Sequence, residues 1–138
     1  MNETINKQLD HRTIREFKDE KIDDNTIQTL LDVANRAPTS NGMQLLSIIR
    51  ITDQKLKDEL AINGNQEYMA RAPYLWVFVV DLYRNYQIAK ENNEENDEMI
   101  GFDKFMQGYN DAMIASQNVT VAAESLGLGV NYFGNIHN

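Results

Sequence analysis

His11-Arg12-Thr13-Ile14-Arg15-Glu16-Phe17 and, further along, Ala37-Pro38-Thr39-Ser40-Asn41-Gly42-Met43-Gln44 are the two stretches whose pairing decides how this chain is read. The first sets two guanidiniums and a hydroxyl close together. Planar guanidiniums fork onto phosphate oxygens and a hydroxyl adds a further bond, so these residue types suit a phosphorylated, polar ligand. They also suit a plainer role: a surface arginine pair, solvated or salt-bridged to Glu16, Asp19 or Glu20. The second stretch follows a helix directly. Its hydroxyls and amides can bond the edge of a planar heterocycle, or simply close the helix end in a turn.

Working outward, residues 2–9 read as a short helix leading into the arginine segment, which Phe17 and Ile22 anchor on the core. Asp23 or Asp24 supplies an N-cap for a helix to about Arg36, with Ile27, Leu30, Leu31 and Ala34 recurring at i, i+3, i+4 and i+7. Pro38 stops it. Residues 45–52, enriched in β-branched Ile48, Ile49 and Ile51, predict a strand, and Asp53 caps a further helix through Leu56 and Leu60. Asn63-Gly64-Asn65 is a turn. Gln66 and Tyr68 follow it, Tyr68 facing a ligand or serving as a half-buried core aromatic. The continuous apolar run 74–80, between Pro73 and Asp81, predicts a central strand covered on both faces.

Residues 103–125 form the longest helical pattern. Ala112, Met113, Ala115, Val119, Val121, Ala122 and Ala123 spread over much of its circumference, which predicts burial, and its alanines and Ser116 allow another backbone to approach closely. A subunit interface along this helix is expected. Gly127 and Gly129 end it, and residues 130–136 read as a last strand. The same glycines permit close approach to a ligand or act merely as a C-cap. Helices flanking a mixed sheet make the class α+β or α/β.

The bulk numbers exclude more than they assign. The 138 residues are one domain by length, able to bury roughly two-thirds of the surface of the unfolded chain. No apolar run approaches the ~20 residues of a bilayer span, and the first residues lack the basic start and apolar core of a secretory signal, so a cytoplasmic location without a membrane partner is expected. Zero cysteines remove disulfides, thiolate metal sites and cysteine nucleophiles, so redox chemistry here requires a bound cofactor. A net charge of −8 argues against nucleic acid as partner. The acidic stretch 91–98 lacks the alternating ligands and central glycine of a calcium loop and reads as a solvated loop or helix end. His11 and His137 are too few and too unsupported for a metal centre, and no Gly-x-Ser-x-Gly elbow marks a serine hydrolase.

Taken together, the two opening stretches, Gly64-Asn65-Gln66-Glu67-Tyr68 ahead of Ala72-Pro73, and Asp111-Ala112 through Ala122-Ala123-Glu124-Ser125-Leu126-Gly127-Leu128-Gly129 resemble the nitroreductase family, in its NADPH-dependent flavin reductase and oxygen-insensitive nitroreductase branch. Order and spacing match across essentially the whole chain. The resemblance implies an α+β homodimer, paired along the 103–125 helix, with FMN bound in two sites at the subunit interface. By position, His11, Arg12, Thr13 and Arg15 would hold the FMN phosphate, ribityl chain and ring edge. Pro38, Thr39, Ser40 and Met43 would come from the other subunit with Gln44 close by; Gln66 and Tyr68 would line the ring, and Leu128 and Gly129 would offer backbone contacts. The implied chemistry is ping-pong: NADPH or NADH gives hydride to flavin N5, and a nitroaromatic, a quinone or a free flavin then takes two electrons. No side chain is nominated as catalytic, because the cofactor carries the reaction.

Two departures stand out. Family members usually continue well beyond this length, with a basic Lys/Arg motif for the phosphate, a further strand and an extension around the partner subunit, so residues 1–138 read as a single nitroreductase-like domain lacking the usual C-terminal part. Val130 also follows Gly129 where the branch often has a second glycine. The rival reading is therefore a truncated, non-catalytic remnant or dimeric binding module with weak or no flavin binding. A reductase handing reduced FMN to a partner monooxygenase is a third.

Overall fold

The computed structural model describes residues 2–94 and 99–134, so the readings for 95–98 and for the end of the last strand, His137 included, lie outside the described residues. Helix α1, Glu3–Leu9, starts where the Asn2 side chain accepts the Ile5 N–H at 3.0 Å, and it buries no residue. Helix α2, Asp24–Asn35, is capped by Asp23, whose carboxylate accepts the Thr26 N–H at 2.9 Å and the Thr26 hydroxyl at 2.6 Å. Those bonds, the hydroxyl's first, hold the Asp23 carboxyl below its usual range. Ile27, Leu30 and Ala34 are buried and Leu31 is half-buried, as the period predicts.

A 3-10 turn, Ser40–Gly42, leads into strand β1, Leu46–Ile51. Helix α3, Gln54–Asn63, begins at Asp53, which accepts the Leu56 N–H at 3.0 Å. The buried face of α3 is made by Lys57 and Ala61, whereas Leu56 is 42% exposed. Lys57 lays its stem on the core while its ammonium donates to the Ala72 carbonyl at 2.9 Å and the Pro73 carbonyl at 3.2 Å, which fixes the chain just before the next strand. Helix α4, Tyr68–Arg71, strand β2, Leu75–Val80, helix α5, Leu82–Glu91, and helix α6, Phe102–Ser125, complete the order.

Strands β1 and β2 pair antiparallel, with Leu46 opposite Val80 and Ile51 opposite Leu75. The central-strand reading of the 74–80 run is thereby corrected, because β2 has one neighbouring strand among the described residues and only its Leu75 is fully buried. Continuous apolarity reports cover on both faces, not the number of neighbours in the ladder. Both faces are in fact covered. Ile48, Trp76 and Phe78 lie against Leu30, Ala34, Val119 and Ala123, while Ile51, Leu75 and Val77 lie against Ala61 and Met69.

The expected mixed sheet is likewise reduced, among the described residues, to this antiparallel pair and one isolated parallel bridge between Thr13 and Val130. The strand expected from residue 130 onward contributes only that bridge, and residues 131–134 have no regular structure. Helices packed on a small sheet make the class α+β.

Helix α6 is the spine of the molecule and has two unlike faces. Gly108, Asp111, Ala112, Ala115, Ser116, Val119, Thr120 and Ala123 are buried against the rest of the chain. Phe102, Phe105, Met106, Tyr109 and Met113 form a second apolar stripe at helical spacing that is exposed, which corrects the expectation of burial all round within one copy. At its end Gly127, with φ +82°, takes the left-handed position, its N–H bonding Glu124 O at 3.0 Å while Leu128 N–H bonds Ala123 O at 3.0 Å. This Schellman closure turns the chain back toward the arginine segment. Among the described residues, no helix is long and apolar enough to cross a membrane.

Candidate functional site

The structure sorts the residues singled out in the sequence into two groups. His11, Arg12, Thr13 and Arg15 lie on an irregular segment that runs beside residues 128–131. Ile14 N–H donates to Val130 O at 2.9 Å, so Thr13 and Val130 bridge. His11 Nδ1 donates to Glu124 Oε1 at 2.6 Å, tying the segment to the last turn of α6. Gly129 matters here for packing: a Cβ would lie 2.9 Å from Ile14 Cγ1, so the missing side chain admits the protein's own segment.

On the other side of this segment the Arg15 guanidinium lies 5.8 Å from the centre of the Tyr68 ring, within cation–π reach. Tyr68 Oη donates to Gln66 Oε1 and accepts from Asn131 Nδ2 at 2.9 Å. Thus His11, Arg12, Thr13, Arg15, Gln66, Tyr68, Leu128 and Gly129 share one region. The salt bridges weighed for the arginines are corrected: Arg12 pairs with Asp10 at 2.9 Å, and Glu16 pairs instead with Arg71 at 3.1 Å. Both residues of the Arg12–Asp10 pair are well exposed, so the contact is worth little and leaves the guanidinium free to re-partner with an anion.

Pro38, Thr39, Ser40, Met43 and Gln44 form the second group, on the turn before β1. Asn41, Gly42 and Gln44 all have positive φ, at 53°, 69° and 48°, so the turn needs outside support. It has three kinds. Asp111, 1% exposed, accepts the Ser40 N–H at 2.8 Å and the Leu45 N–H at 3.1 Å. Arg84 donates to the carbonyls of Gln44 and, at 2.9 Å, of Leu46. Asn85 donates to the Met43 carbonyl at 2.7 Å. Arg84 itself stands in the first turn of α5, capped by Asp81. The Ser47 hydroxyl and then the Arg84 N–H hold the Asp81 carboxyl below its usual range.

The two groups stand apart in one copy of the chain. The first is tied to α6 at Glu124 and the second at Asp111, thirteen residues apart, or about 20 Å at 1.5 Å per residue. The ladder measures the same gap, since the turn sits at its Leu46–Val80 end and Tyr68 beyond its Ile51–Leu75 end. No residue in the sequence pattern announced Arg84, Asn85 or Asn131 as part of either group. Asp111 left a faint mark, a lone carboxylate among the small residues Ala112, Ala115 and Ser116 on the face of a helix.

The donor set fits a phosphorylated ligand with a planar ring. The Arg15 guanidinium stands over the aromatic face of Tyr68, the exposed Arg12, Thr13 and His11 lie on the same segment, and the buried Asn131 Oδ1 has no partner among the described residues, leaving an acceptor beside that ring.

A model described as Nitroreductase family matches residues 9–63. An FMN reductase (NADPH) of Bacillus subtilis is 42% identical, aligned over 100% of this chain and 56% of its own length. An oxygen-insensitive NADPH nitroreductase of Salmonella typhimurium is 37% identical over 100% of this chain and 56% of its own. Among solved structures, a B. subtilis nitroreductase superposes with a TM-score of 0.91 at 41% identity, over 96% of this chain and 55% of that one. An NADPH:FMN oxidoreductase from Vibrio harveyi, complexed with NAD+, gives 0.83 at 36%, over 93% and 54%. The chain spans about half the length of the relatives it matches, and over that span it is similar to members of the nitroreductase family.

Proposed function

We propose that the chain acts as an FMN-dependent NAD(P)H oxidoreductase of the nitroreductase and flavin reductase type, working as a homodimer. The observation that carries this is the split of the candidate residues into two groups about 20 Å apart on α6, each supported by its own hydrogen bonds. One copy alone does not close a site around both. A second copy laid along the exposed Phe102, Phe105, Tyr109 and Met113 stripe supplies the missing half, and that stripe is the kind of apolar patch that marks an interface.

In such a dimer Arg12, Arg15, Thr13 and His11 of one subunit hold the FMN phosphate, ribityl chain and ring edge through charge-assisted bonds. Tyr68, Gln66 and the backbone at Leu128 and Gly129 position the ring, and Pro38, Thr39, Ser40, Met43 and Gln44 of the other subunit cover it and exclude water. Bound FMN supplies the redox chemistry, carrying two electrons from NADPH or NADH to a nitroaromatic, quinone or free flavin in ping-pong order. The cytoplasm, where reduced nicotinamide is supplied, is the matching compartment.

The test is a titration with FMN followed by NADPH oxidation with menadione or nitrofurazone. A flavin absorption band and acceptor-dependent NADPH loss are expected, both abolished in the double variant Arg12→Ala, Arg15→Ala. Colourless protein that gains no visible band overturns the reading; flavin binding without NADPH oxidation leaves a binding module in its place.

A further inference from the structure

Asp111 is a carboxylate at 1% exposure with no cation paired to it among the described residues, and its two oxygens face two backbone N–H groups of one turn. One helical turn earlier, Gly108 has Leu45 O at 3.1 Å and Val80 Cγ1 at 2.7 Å from where its Cβ would stand. The pair therefore makes a socket on α6. Gly108 admits the Leu45 backbone and Asp111 ties it down.

We infer that Asp111 is a positioning residue that acts on the flavin site of the other subunit. This rests on the functional reading above. Asp111 locks the turn carrying Thr39, Ser40, Met43 and Gln44 to the helix along which the two copies pair, and that turn serves the partner's FMN rather than its own. Ser40 and Leu45 bracket the strained residues Asn41, Gly42 and Gln44, so holding their N–H groups fixes everything between them. An asparagine of the same shape accepts one N–H and turns a donor toward the other, which leaves the turn loosely held.

The consequence is a crossed dependence between subunits. In Asp111→Asn the Ser40 and Leu45 amides should exchange with solvent at least about tenfold faster, and FMN should bind about tenfold more weakly, as expected for one lost buried charge-assisted bond. The decisive measurement uses mixed dimers of the full chain. D111N carrying one affinity tag is coexpressed with R12A/R15A carrying another, and the doubly tagged dimer is isolated.

If Asp111 serves the partner's site, the mixed dimer has one intact site, built from the D111N subunit's arginines and the other subunit's undamaged turn. It then binds one FMN per dimer with wild-type affinity, although each parent homodimer binds poorly. If Asp111 serves its own site or only general stability, both sites are damaged and the mixed dimer binds as poorly as its parents, which overturns the inference. Gly108→Ala in place of D111N should give the same crossed result. A wild-type chain that takes up no FMN sinks the functional reading itself, a failure distinct from wild-type binding with no rescue in the mixed dimer.

Discussion

A methyl group at Gly129 would meet Ile14 Cγ1 at 2.9 Å and Ile14 Cγ2 at 3.0 Å. Gly129→Ala should therefore push the arginine segment away from Val130, at a cost of about 1–3 kcal/mol for overpacking. A lower urea midpoint with faster exchange of the Ile14 amide is expected; an unchanged midpoint would show that the segment yields freely. Asp81 gives a pH-dependent counterpart. Its carboxyl sits below the ordinary 3.8 in the folded chain because it accepts the Ser47 hydroxyl and the Arg84 N–H. The unfolded chain takes up this proton first, so the stabilisation is present above about pH 3.8 and is lost as pH falls through the lower folded value. Chemical denaturation of wild type and Asp81→Asn should show a gap near neutral pH that closes in acid. A gap that widens in acid would contradict the sign.

Among the elements, α6 bears the most. Its buried side joins α2, where Leu30 is 4% exposed in a cluster with Ala34, Val119 and Ala123. Leu30→Ala should cost about 2–5 kcal/mol, read as a shift in the denaturant midpoint at constant slope. The outward side carries Phe102, Phe105 and Tyr109, with successive ring centres 6.4 Å apart. Placing charges there, as Phe105→Glu with Tyr109→Glu, should leave the monomer folded by circular dichroism yet monomeric by light scattering. A double variant that remains dimeric would move the interface elsewhere.

For the whole molecule, the proposed site shared between copies would make flavin occupancy depend on protein concentration. Diluting the FMN complex at a fixed ratio should release fluorescent flavin in step with dissociation of the dimer, and added FMN should raise the melting temperature. Release that does not follow the oligomeric state would show a site complete within one chain. Much of the local plan was legible in the sequence: Asp23 and Asp53 as caps, the Ile27, Leu30, Ala34 stripe, and the turn after α2 all follow from side chains bonding or burying within a few residues of themselves. Colinear motifs likewise pointed to the family. What needed the tertiary structure were relations between residues distant in the chain: the single partner of β2 among the described residues, the buried Lys57 of α3, Ile14 filling the space at Gly129, and the Asp111 grip on the turn 71 residues before it. The reason is physical. Local periodicity records which side of an element is covered, whereas the identity of the covering group, and the distance separating the two groups of candidate residues along a helix, exist only once the elements are packed.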